Sequence, residues 1–142
     1  GQINKGTSHD QWYKKKVSLD YHLRYKFILC IEGNDVASNL KWVMSSSSVA
    51  VMPKPKFESW FMEGILVPDY HYIQIKDDYS DLEKKLKFYI KNPEKLKQIS
   101  INANNYVNQF RDSSDEKIIS LLVMEKFFAF TNQKKSLINF LS

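Results

Sequence analysis

Cysteine occurs once in the 142 residues, at Cys30. A disulfide framework within the chain is therefore excluded, and a reducing compartment is the easier fit. Cys30 lies inside an apolar run and reads as a small core residue. No apolar segment approaches the roughly 20 residues needed to span a bilayer. No secretory leader is legible, and the chain opens on Gly1 rather than Met, so an excised piece is expected. The three histidines, His9, His22 and His71, lack the spacing of a metal site, and none is expected. No Walker loop and no GxGxxG fingerprint occurs, and a serine–histidine nucleophile has no local support. Asp77, Asp78 and Asp81 hint at a divalent cation but read better as solvated carboxylates at a helix start. A basic recognition helix is missing, as is a sheet motif of interleaved aromatic and basic residues, so nucleic acid is not an expected partner.

What is present is a globular composition, 43% hydrophobic and 26% charged, with the length of one domain. The net charge of +5 favours anionic partners without identifying one. Lys14, Lys15 and Lys16 form a short basic run that reads as a solvated face. Nine Phe and eight Tyr are many rings for so small an interior, and some are expected at an interface.

Residues 25–31 (YKFILCI) form a nearly continuous apolar run, which suits a strand buried on both faces of a parallel sheet. Glu32, Gly33, Asn34 and Asp35 follow as a polar turn. Residues 36–44 then read as a helix, started by Asp35 or Ser38 and carrying Val36, Leu40, Val43 and Met44 on one stripe. Strand, turn and helix start make an anion site, because the first N–H groups of a helix lack partners and its dipole favours negative charge. Gly33 suits that turn through its backbone freedom, and Lys41 follows two turns on. Residues 49–52 are the second strand, stopped by Pro53 and Pro55. Residues 57–64 read as a helical turn or two with Trp60, Phe61 and Met62 in succession, so at least one must point away from the core. Residues 71–76 are the third strand. Ser80 and Glu83 make a capping box for a helix with Leu82, Leu86, Tyr89 and Ile90 on its stripe. Asn92 and Pro93 end it and start a helix to about Gln109, and residues 116–130 form another. Strands alternating with helices specify α/β architecture with a parallel sheet. Ligands of such sheets bind beyond the carboxyl ends of the strands. That rule gathers Gly33, Asn34 and Asp35 with residues 53–57 and the turn after Lys76. Residues 1–16 read as an irregular lead-in and residues 17–142 as a single domain.

At EGNDVASNLKW the sequence resembles the donor-binding half of the CAP10-like glycosyltransferases, which include protein O-glucosyltransferases and bacterial lipopolysaccharide glycosyltransferases. Tyr25-Lys26-Phe27 is similar to the family's strand opening, and Gly33, Ser38 and Lys41 to its glycine, serine and basic residue. The serines before Val49, residues 58–61, the trio Pro68, His71 and Tyr72, and the pair Asp81-Leu82 continue the likeness over about residues 17–111. The runs GNDVASNLKW and MPKPKFESWFMEG are closest to the lipopolysaccharide branch. The resemblance implies a Rossmann-like parallel sheet flanked by helices, the C-terminal half of a GT-B enzyme. It implies transfer of sugar from a nucleotide sugar, a UDP-sugar, to a lipopolysaccharide or glycan acceptor, with no further cofactor. The acceptor and the catalytic carboxylate would belong to an N-terminal half outside this sequence, so the chain alone is expected to be inactive. A cytoplasmic protein, peripherally associated with the inner face of the membrane, is the implied setting. Gly33, Asn34, Asp35, Ser38 and Lys41 would hold the donor diphosphate, Glu63 the ribose, and His71 and Trp60 would face the cleft. The plainer alternatives are a turn, a cap, an exposed lysine, a solvated glutamate, a structural histidine and core packing. The competing function is a non-catalytic fragment or protein-interaction module of the same fold.

Overall fold

Three apolar segments pair into one parallel sheet in the computed structural model, which describes residues 17–131. The lead-in through residue 16 and the tail after Thr131 lie outside the described residues. The strands β1 (Phe27–Leu29), β2 (Val49–Met52) and β3 (Ile73–Gln74) lie in the order β1-β2-β3. Phe27 stands opposite Val49, Leu29 opposite Val51, and Val51 opposite Ile73. The expected parallel alternation is present. β1 and β3 are shorter than their apolar runs, although the backbone bonds Cys30 N to Val51 O (3.0 Å) and Ile75 N to Met52 O (3.1 Å) extend the pairing by a residue.

All four residues of the middle strand β2 are buried. Val49 and Val51, with Ile73 and Ile75, pack against Tyr89 of α3 (Leu82–Lys91) and Leu96 and Ile99 of α4 (Pro93–Asn108). Ala50 and Met52 point to the opposite face by strand alternation and are buried too. So are Leu40, Val43 and Met44 of α2 (Leu40–Met44), which packs against β2. The sheet is thus a layer between helices, which is why its strands carry little polar alternation.

Helix starts differ from expectation. α2 begins only at Leu40, and neither Asp35 nor Ser38 caps it; the N-cap is Asn39, without a side-chain cap bond. Residues 33–36 instead close a turn of their own. Gly33 N–H donates to Asp35 O (3.2 Å), and Val36 N–H to Asp35 Oδ1 (2.7 Å). Such local bonds compete with helix formation. Asn39 Nδ2 donates to Leu29 O at 2.9 Å, tying the helix start to β1. The Ser80–Glu83 capping box does not form either. α3 follows Asp81, whose Oδ1 accepts from Lys76 N–H (2.8 Å), while Ser80 N–H donates to Asp78 Oδ1. Asn92 closes α3 through Nδ2 to Phe88 O (2.7 Å), and Pro93 takes the first position of α4. Ser18, at the start of α1 (Leu19–His22), accepts from Tyr21 N–H as a cap should. The serines after α2 are structural: Ser48 Oγ donates to Tyr25 O, and Ser46 O accepts from Asn104 Nδ2 of α4.

The chain divides into two compact units, one to Val107 and one from Asn108. The second is built on α5 (Ser113–Phe130), whose start is capped by the Asp112 carboxylate. None of the residues of α5 is buried.

Candidate functional site

Parallel strands deliver their connecting loops to one edge of the sheet. Beyond the carboxyl ends of β1, β2 and β3 those loops enclose a cavity of about 170 Å³, lined among others by Cys30, Glu32, Gly33, Lys56, Glu63 and Asp77. Side-chain bonds fix its walls. The Glu32 carboxylate accepts from the backbone N–H of Lys56 (3.1 Å) and of Phe57 (3.2 Å), strapping the loop after β1 to the loop after β2. Lys56 Nζ reaches Asp77 Oδ2 at 3.0 Å in the loop after β3. Burial pushes the Cys30 thiol up to about 12, so it lines the cavity as an unreactive neutral group.

Among the described residues Glu63 is the one charged side chain that is buried, 1% exposed. It belongs to a 3-10 turn, Glu63–Ile65, rather than an α-helix, and follows Met62, held in the left-handed region at φ 53°. Tyr106 Oη donates to Phe61 O (2.6 Å) and Met62 O (3.1 Å), which pins this strained segment. Ser59 N–H donates to Glu63 Oε2 (2.7 Å), Ser59 Oγ to Oε1 (2.8 Å), and Lys41 Nζ to Oε1 (3.1 Å). Burial alone would raise the Glu63 pKa. The Ser59 and Lys41 donors outweigh it and hold the carboxyl below its ordinary range. The Lys41 ammonium stands 5.4 Å from the Trp60 ring centre and 5.3 Å from that of Phe61.

Of the residues singled out by sequence, Gly33 and Glu63 line the cavity. Lys41 lies behind Glu63. Asn34, Asp35 and Ser38 are exposed beside the cavity lining, and with α2 starting at Leu40 the donors of a helix start do not fall at the Gly33 turn. Gly33 needs no left-handed backbone, and a Cβ added to it meets nothing within 4 Å. Phe61 is the core member of its trio, and Trp60 points outward. His71 is packed between the rings of Tyr70 and Tyr106, and its Nδ1 accepts from Val67 N–H at 2.9 Å. Burial lowers its pKa, in keeping with that neutral tautomer. Asp77, Asp78 and Asp81 serve separate partners, and no cluster of three metal-ligating side chains occurs among the described residues. Sequence reading missed Glu32 and Lys56 as lining residues and took Asp77 for a solvated carboxylate at a helix start. The signal for Lys56 was its place beside the prolines that stop the middle strand.

Residues 3–119 match Glycosyl transferase family 90. The O-glucosyltransferase LpsA of Dichelobacter nodosus is 40% identical over 129 residues, which are 91% of this chain and 41% of that protein. An uncharacterized protein, 179R, of Invertebrate iridescent virus 6 is 31% identical over 119 residues, 78% of this chain and 10% of the viral one. The chain thus spans less than half the length of the O-glucosyltransferase and about a tenth of the viral relative.

Proposed function

The chain belongs to glycosyl transferase family 90, the CAP10-like glycosyltransferases, and on that premise we propose that it is the donor-binding part of such an enzyme. The cavity at the shared carboxyl ends of the strands carries this reading, since that edge is where parallel α/β sheets take their ligands. The donor is a nucleotide sugar, a UDP-sugar, and the acceptor is a lipopolysaccharide or other glycan held by another part of the enzyme. As the bond to the diphosphate breaks, negative charge grows on its oxygens. Fixed donors and cations stabilise that charge without reorganising. The Gly33–Asn34–Asp35 turn, with Ser38 close by in sequence, is the proposed rim for the diphosphate. Glu63, kept ionised by Ser59 and neutralised from behind by Lys41, offers an acceptor to a ribose hydroxyl.

The test is to fill the cavity from a position that does not disturb the fold. Gly33 is exposed and its Cβ direction is open. Gly33→Trp should therefore keep the wild-type melting temperature while lowering the affinity for UDP and for uridine alike by roughly tenfold or more, about 1.4 kcal/mol. Calorimetric titration of the full chain checks this, and a wild type that binds no uridine nucleotide sinks the reading. The second reading, an interaction module of the same fold, draws on α5, where Ile118, Leu122, Val123 and Phe127 are exposed. It gains if the wild type gives no heat with UDP.

A further inference from the structure

Lys56 lines the cavity and Lys41 stands behind the lining residue Glu63, and their counter-ions separate the two lysines. Lys41 is bound to a carboxylate that is only 1% exposed. Separating that pair would strand a buried charge, which is strongly unfavourable. Lys56 is bound to Asp77 with both side chains 63% exposed. An exposed pair of this kind contributes little and exchanges readily. Its root, by contrast, is fixed: Pro55 restricts the backbone on one side, and Lys56 N–H is held by Glu32. Lys56 and Asp77 come from the loops after β2 and β3, and both line the cavity.

We propose that the Lys56–Asp77 bridge is a displaceable latch at the cavity, and that Lys56, released from Asp77, is the cation that meets the diphosphate of the ligand. This rests on the donor-binding reading and assigns the phosphate-facing charge within it. A diphosphate outcompetes Asp77 because it presents more negative charge and more acceptor oxygens than one carboxylate. Asp77 in turn works against the ligand twice, as a competitor for Lys56 and as a like charge beside the phosphates. A lysine suits this exchange better than arginine would, since its compact charge on a flexible stem follows a moving partner. Lys41 then has a positioning part only, keeping Glu63 ionised and in place.

The experiment titrates UDP, uridine and inorganic pyrophosphate into the full chain as wild type, Lys56→Ala, Asp77→Asn and Lys41→Ala, at low ionic strength so that surface charge is not screened. Lys56→Ala should weaken UDP and pyrophosphate roughly tenfold or more and leave uridine within about twofold. Asp77→Asn should tighten UDP and pyrophosphate by about two- to fivefold, the scale of an exposed charge pair. Lys41→Ala should leave the preference for UDP over uridine in place. Unchanged binding in Lys56→Ala, weaker binding in Asp77→Asn, or loss of the UDP preference in Lys41→Ala would each overturn the latch. A wild type that binds pyrophosphate but no uridine nucleotide refutes the donor reading, and the pyrophosphate series still decides for or against Lys56. A wild type that binds neither anion refutes both. Equal melting temperatures for Lys56→Ala, Asp77→Asn and the wild type show that the comparison is between folded proteins.

Discussion

Replacing Glu63 with alanine should lower folding stability by about 3 kcal/mol, within the range for breaking a buried charge network. Three losses add up. Ser59 N–H and Oγ lose their acceptor in a partly buried site, Lys41 loses its counter-ion, and the removed side chain leaves a void. The total is held below the upper end because Lys41 is 26% exposed and can turn to solvent. The same network makes stability depend on pH, with a definite sign. Glu63 has its folded pKa depressed below the ordinary carboxyl value of 4.5. Its contribution is therefore fully present above that value and is lost as pH falls through the depressed folded pKa. Urea unfolding across acid pH should show wild type losing stability in that window and Glu63→Gln losing less. A Glu63→Ala variant within about 0.5 kcal/mol of wild type, the usual size of a surface substitution's effect, would refute the account.

Phe61→Ala should be about as severe or worse, about 3–5 kcal/mol, the usual range for deleting a buried phenyl ring. The ring is 1% exposed and meets Tyr106 edge-on at 5.3 Å between centroids, with Lys41 Nζ at a similar distance over it. It therefore packs the core and braces the cation behind Glu63 at once. Trp60→Ala, one residue away and 63% exposed, should cost far less. Thermal or denaturant unfolding of the two variants side by side gives the comparison. Equal effects at the two positions would show that the burial argument fails here.

These two residues also mark what the sequence can carry. Trp60, Phe61 and Met62 in succession demanded that one ring leave the core, but three adjacent apolar residues say nothing about which. The choice follows from the left-handed backbone at Met62 and from Tyr106, which arrives from α4. The strands were legible because apolar, β-branched runs bounded by turn residues have few other readings. The start of α2 was not, since Gly33 and Asp35 can close a turn or open a helix with equal local plausibility. Their own backbone bonds decide for the turn. Lys41 was legible as a cation of interest, yet its partner Glu63 stands 22 residues away. Lys56 and Asp77 likewise become neighbours only when β2 and β3 pair. The rule that ligands gather at strand carboxyl ends brought their loops together without naming the side chains.

The strand order β1-β2-β3 also bears on how the protein is made. Among the described residues each strand pairs with the next one along the chain, so as the ribosome releases the polypeptide none of these three strands waits for a partner synthesised later than its neighbour. The sheet can grow vectorially, one edge at a time, with β2 as the template onto which β3 is added. Damage to β2 should then slow folding as well as lower stability, whereas damage confined to β3 should chiefly hasten unfolding.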